Sequence, residues 1–192
     1  MRIIGLTGGI ATGKTTVSNY LANKHSLPVL DADVYAREAV ATDSPILQDI
    51  FAHFGDNLKL ADGSLNRSAL GDIIFNDPLA KRWLENKIHP YVRDRFSQEL
   101  AQIEQDIVVL AVPLLFEANL THIATEIWVV ACNDDLQLDR LQNRNNLTKA
   151  QAQSRISSQM PVKEKIAQAD YVLYNNSTLE DLYRQCDQTL NI

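Results

Sequence analysis

The side chains best placed to do chemistry lie in one short run, Gly8-Gly9-Ile10-Ala11-Thr12-Gly13-Lys14-Thr15, which reads as a glycine, four residues, then Gly-Lys-Thr. This spacing lets consecutive backbone N–H groups turn inward around an anion, because Gly8 and Gly13 can take backbone angles closed to other residues. Lys14 then reaches the β and γ phosphates of a nucleotide, and the Thr15 hydroxyl is a ligand for Mg²⁺. A helix starting here adds its positive N-terminal end. Gly8, Gly9, Ala11, Thr12, Gly13, Lys14, Thr15 and Thr16 are therefore the candidate nucleotide-binding residues. The plain alternative is an ordinary glycine-rich βα turn, and the flanking sequence argues against it.

Asp31-Ala32-Asp33 leaves the short apolar run Leu27-Pro28-Val29-Leu30, at the strand end where open α/β sheets hold ligands. An extended chain points the two acids to opposite sides. Asp33 is then the functional member, and Asp31 a support or a helix cap. His89 and Arg93 stand four apart on a helical pattern and so share a face, although a solvated pair would look the same. Arg140 and Arg144 do likewise, at the head of a stretch to Lys165 in which Glu164 is the only acid. Such a stretch points to an anionic ligand, with a solvated helix face as the alternative. Glu117 closes Pro113-Leu114-Leu115-Phe116-Glu117, as an outer contact of the site or as a helix N-terminal acid. Many phosphate-loop proteins end the preceding strand with an aspartate that organises the metal; here Ala111 and Val112 stand there, so that role is vacant or moved.

The elements that must position these groups follow from periodicity. Arg2-Ile3-Ile4-Gly5-Leu6-Thr7 is a buried parallel strand, and Val17, Tyr20 and Leu21 place a helix after the loop. Between Thr42 and Gln105 the pattern turns helical. Ser44 or Asp43 starts one helix before Pro45, a loop or small hairpin turns at Asp62-Gly63, and a second helix starts near Asn66. A long helix from Pro78 to Gln105 should kink or restart at His89-Pro90. Strands are expected at 107–112, 126–132 and 170–174, with helices after Asn133 or Asp134, from Thr148 to Met160, from Pro161 to Ala169 and from Thr178 to Leu190. The 192 residues then form a single domain: a core of 1–41, 106–138 and 168–192, an acceptor-binding helical insertion at about 42–105, and a lid at about 139–167. A formal net charge of −6 argues against nonspecific nucleic-acid binding. No apolar run approaches membrane-spanning length and the chain starts on its first strand, so a cytoplasmic protein is expected, with no membrane partner. Cys132 and Cys186 are too few and isolated for a disulfide framework. A monomer or small homo-oligomer is expected.

Taken together, these stretches resemble the dephospho-CoA kinase family, which carries out the last step of coenzyme A synthesis. The likeness is carried by Leu6-Thr7-Gly8-Gly9-Ile10 with Gly13-Lys14-Thr15-Thr16, by Asp31-Ala32-Asp33 with Ala36-Arg37, and by His89-Pro90 with Val92-Arg93. It continues through Pro113-Leu114-Leu115-Phe116-Glu117, Gln137, Arg140, Arg144, Gln159 before Pro161, and Ala169-Asp170 followed by Asn175. The resemblance implies a phosphate-loop (P-loop) kinase fold of the α/β class, with a five-stranded parallel sheet, a helical substrate-binding insertion and a lid. It implies transfer from ATP, with Mg²⁺, to the ribose 3′-hydroxyl of 3′-dephospho-CoA. Carried over by position, Asp33 is the general base, and Arg37, His89 and Arg93 contact the acceptor with Asp31 and Glu117 nearby. Arg140 and Arg144 reach the phosphates from the lid, and Asn175 lies near the adenine of ATP. Ala11, Asn145 and Ser177 depart from the family's usual glycine, aspartate and glycine. The rival readings are a P-loop kinase for another acceptor, such as a nucleoside monophosphate, or a nucleotide-dependent switch. A GTP switch should carry Asn-Lys-x-Asp, which the sequence lacks.

Overall fold

A computed structural model describes residues 1–191. The chain divides into two compact units, residues 1–31 with 103 onward, and Ala32–Gln102. In chain order the strands are β1 (Arg2–Gly8), β2 (Val29–Asp31), β3 (Ile107–Ala111), β4 (Glu126–Ala131) and β5 (Tyr171–Tyr174). The helices are α1 (Lys14–His25), α2 (Ala32–Glu38), α3 (Pro45–Phe54), α4 (Arg67–Asn76), α5 (Pro78–Leu100), α6 (Asp134–Asn145), α7 (Lys149–Ser157), α8 (Val162–Ile166) and α9 (Leu179–Leu190).

The first unit is built on a five-stranded sheet in the order β2-β3-β1-β4-β5, with every neighbouring pair parallel. The central strands are near-continuous apolar runs because both of their faces are covered. Ile4, Leu6, Val109, Trp128 and Val130 are fully buried against Val17 and Leu21 of α1 and Leu182 and Cys186 of α9. Each such aliphatic side chain contributes ~1.5–3 kcal/mol of burial. The second unit has its own core, in which Leu47, Ile50 and Phe51 of α3 meet Leu70 of α4 and Leu84 of α5. Local chemistry sets the helix starts: Ser44 caps α3, Asn66 caps α4, Asp77 caps α5, and Thr148 with Gln151 forms a capping box on α7.

Several expectations need correction. α5 is one continuous helix through Pro90, with no restart, and it ends at Leu100. Proline removes one N–H there, but packing of Leu84, Val92 and Phe96 on either side outweighs that loss. α2 begins at Ala32, immediately after Asp31 closes β2, so the chain does not stay extended across the two aspartates. The compact helical unit accordingly starts at Ala32, ten residues before the expected 42, and α2 packs within it on α5 through Tyr35 and Phe96. Residues 113–119 are turns, so Glu117 is not at a helix N-terminus. Asn133 takes the N-cap position of α6 without bonding through its side chain.

Candidate active site

β1 delivers the phosphate loop, and α1 carries it away. Gly13 holds the N-cap position at φ 109° with no side chain to offer, so the first amides of α1 have no cap from the protein. The loop is wound on itself by Thr12, whose N–H and hydroxyl both donate to the Gly9 carbonyl, at 3.2 and 2.9 Å. Its apex is braced from outside: the Ile10 N–H donates to Gln159 Oε1 and the Ile10 carbonyl accepts from Gln137 Nε2, each at 2.8 Å. Behind it, Asn175 Nδ2 donates to the Thr12 carbonyl at 2.9 Å. A side chain on Gly8 would run into the Val130 carbonyl at 2.5 Å, which makes this glycine a requirement of space. Ala11 stands at φ 62°, a left-handed backbone that favours glycine.

Lys14 is buried with its Nζ 3.7 Å from Asp31 Oδ2. In the β2–β3 register Asp31 lies beside Ala111, the strand end where a metal-organising aspartate is missing. The neighbouring strand thus brings a carboxylate to that edge of the sheet. Thr15 is exposed at the start of α1. These two oxygen donors fit Mg²⁺, which takes one or two protein oxygens alongside substrate phosphates. Among the described residues no cluster of three or more His, Cys, Asp or Glu side chains could hold a metal alone.

Asn175 is buried and receives Arg140: Nη1 donates to its carbonyl at 3.1 Å. Arg140 also lies against Cys132, where burial pushes the thiol up and the guanidinium opposes it. Arg144, one turn further along α6, is exposed and donates to Asn145 at 2.9 Å. Ser177 donates to the Asp181 carboxylate in the first turn of α9. Lys165, counted above in a basic stretch, is not presented to a ligand; it is fully buried, 2.9 Å from Glu117. Glu117 also accepts from the Met160 N–H at 3.0 Å, so both of its contacts tie the 113–117 turns to the segment after α7. The buried polar residues, Thr7, Thr12, Lys14, Ser18, Gln137, Lys165 and Asn175, belong to the loop, its helix and these braces. Sequence reading noted Gln137 and Gln159 without giving them a job.

The helical unit has a cavity of its own, of about 380 Å³. Leu65, Leu70, Ile74, Leu84 and Ile88 make its apolar wall, and Asp33, Arg37 and Arg67 its charged rim. Asp33 and Arg37 reach the same space because they stand four apart on α2. Arg67, at the start of α4, donates through Nη2 to the Arg37 carbonyl at 3.4 Å. Sequence reading missed Arg67. Its signal was a cation at the positive end of a helix, where acids are preferred. His89 and Arg93 lie on α5, half-buried and exposed respectively, and neither lines the cavity.

A family model described as dephospho-CoA kinase matches residues 2–181 of the chain. A dephospho-CoA kinase from Trichormus variabilis is 57% identical over 99% of this chain and 97% of its own. A Thermus thermophilus structure is 34% identical with a TM-score of 0.84, covering 99% of this chain and 96% of that one. A dephospho-CoA kinase structure from Campylobacter jejuni is 26% identical with a TM-score of 0.73, covering 100% and 96%.

Proposed function

The chain belongs to the dephospho-CoA kinase family, and from that premise we propose the roles its residues play in moving the γ-phosphoryl group of ATP to the ribose 3′-hydroxyl of 3′-dephospho-CoA, giving CoA and ADP. It is an ATP-dependent phosphotransferase. The observation that carries the reading is the uncapped N-terminus of α1 beside a buried lysine, in a chain of this family.

Phosphoryl transfer asks a protein for alignment and for neutralisation of charge on the group in flight. The loop amides that the protein leaves unbonded, with those at the uncapped start of α1, cradle the β and γ phosphates, and Lys14 exchanges Asp31 for the incoming phosphate oxygens. Arg140 and Arg144 add charge to the transferring group, with Arg140 held by Asn175, which also fixes the back of the loop. Thr15 and Asp31 would hold Mg²⁺ alongside the nucleotide, and the ion would supply charge neutralisation for phosphoryl transfer. Asp33 accepts the proton of the ribose 3′-hydroxyl, and Arg37, His89 and Arg93 hold the acceptor. Glu117 serves at one remove, by fixing Lys165 and Met160.

A cytoplasmic setting and a monomer or small homo-oligomer complete the proposal. No helix among the described residues is long and apolar enough to cross a membrane, and the net charge of −6 does not suit nucleic acid. The test is ADP release from ATP and Mg²⁺, with and without 3′-dephospho-CoA, and with AMP and CMP as rival acceptors. A rate raised by 3′-dephospho-CoA alone is the expected result. Faster release with AMP or CMP would overturn the choice of acceptor.

A further inference from the structure

The phosphate loop is pinned at Ile10 from both sides by neutral carboxamides. Gln159 Oε1 accepts the Ile10 N–H and Gln137 Nε2 donates to the Ile10 carbonyl, each at 2.8 Å. These two groups belong to different peptide units, one on either side of the Ile10 Cα, so both backbone rotations at Ile10 are held. A trans peptide is planar with its N–H and C=O directed oppositely, so fixing one end of each unit aims the other. In the unit before Ile10, drawing the N–H toward Gln159 sends the Gly9 carbonyl the other way, where Thr12 donates to it through N–H and hydroxyl. In the unit after Ile10, drawing the carbonyl toward Gln137 turns the Ala11 N–H away from α6. Asn175 repeats the device: its bond to the Thr12 carbonyl turns the Gly13 N–H away from Asn175. Gln137 is buried in the first turn of α6, and Gly9 makes room for it, since a Cβ on Gly9 would stand 2.7 Å from Gln137 Nε2. Ala11 follows at φ 62°, a backbone that persists only where its surroundings over-determine it.

We infer that Gln137 and Gln159 are positioning residues for phosphoryl transfer, which act on the nucleotide only through the Ile10 backbone: they aim the Ala11 amide into the hollow of the loop and keep the Gly9 carbonyl turned aside to Thr12. The inference rests on the reading of this loop as the seat of the ATP phosphates. A carbonyl facing those phosphates would repel them, and an amide already aimed needs no reorganisation as charge develops on the transferring group. The two side chains work in opposite senses, Gln137 as a donor and Gln159 as an acceptor. Gly9 is the clearance that lets the donor reach its carbonyl.

Steady-state kinetics on the full chain test this, with thermal unfolding of each variant followed by circular dichroism. Gln159→Glu keeps an acceptor for the Ile10 N–H, whereas Gln137→Glu sets a carboxylate against a carbonyl; both add the same charge. Gln137→Glu should therefore lower kcat/KM for ATP about 10-fold further than Gln159→Glu, with the KM for 3′-dephospho-CoA within about 2-fold of the parent in each. A double-mutant cycle removes charge from the comparison. Gly9→Ala alone should push the Gln137 amide off its carbonyl and lower kcat/KM for ATP about 5- to 10-fold, as Gln137→Ala should. Added to Gln137→Ala, the same change at Gly9 should have an effect below about 2-fold, because the bond is already gone. Additive losses in the cycle, or equal losses in the two glutamate variants, would overturn the inference. So would parallel rises in both KM values with a lowered unfolding midpoint, which marks the glutamines as general braces of the fold. If the parent chain itself gives no acceptor-dependent ADP, the reading beneath the inference fails instead, and the parent assay tells the two failures apart.

Discussion

Ala11 holds a left-handed backbone at φ 62° in the middle of the phosphate loop. That conformation costs an L-residue ~1–2 kcal/mol, and glycine would remove the cost while adding ~0.4–1 kcal/mol of unfolded-state entropy. Ala11→Gly should therefore raise stability by up to about 1 kcal/mol, read as a higher thermal midpoint. A lower midpoint would show that the alanine is not strained. Lys14→Ala should cut transfer about 10²-fold or more, because the charge acts on the reacting group in a water-poor site. The two aspartates should separate in kind. Asp33→Asn should leave ATP affinity intact and lower the transfer rate ~10²–10⁴-fold, the usual worth of a positioned base. Asp31→Asn, beside Lys14, should instead raise the Mg²⁺ concentration at half-maximal rate about 10-fold. Calorimetry of nucleotide binding and a Mg²⁺ titration distinguish these; a reversed pattern would exchange the two roles.

At the scale of elements, α9 is tied to α1 by Tyr20 and His25, both bonded to Asp187, at 2.9 and 2.8 Å. Burial, then the bond to Asp187, pushes the Tyr20 phenol up to about 12. A group whose folded value is raised stabilises fully below its unfolded value, near 10 for tyrosine, and that stability is lost as pH climbs toward 12. The alkaline loss of stability should therefore shrink in Tyr20→Phe, measured by urea unfolding at pH 9 and pH 11. Glu117→Gln would leave the fully buried Lys165 without its carboxylate and should cost about 3 kcal/mol. Urea unfolding midpoints check this, and a loss under about 1 kcal/mol would mean that the Pro113 carbonyl alone satisfies the lysine. These two elements also show what a sequence displays. Ser44, Asn66, Thr148 and Thr178 announced their helices because a cap acts within a few residues, and the strands were legible because burial on both faces leaves apolar runs. Lys165 was misread because its partner lies 48 residues away, and the cavity at Arg67 and Gly71 was invisible because three helices must meet to form it. Pro90 misled in the opposite sense, since a local rule was overridden by packing along α5.

The whole molecule is built as two compact units. Mg²⁺-ATP should slow amide exchange at residues 9–16, and 3′-dephospho-CoA should slow it within Ala32–Gln102, as seen by hydrogen exchange with mass analysis. Protection of the same segments by both ligands would count against that division of labour. The chain leaves the sheet at the end of β2 and re-enters it at the start of the neighbouring β3, with the helical unit as the entire crossover between these parallel strands. A crossover of this kind needs only a dozen or so residues to close. The strand order itself therefore places no demand on most of this crossover. A change confined to α3 to α5 would thus alter the helical unit while leaving the phosphate loop, Asp31 and Asp33 where they are.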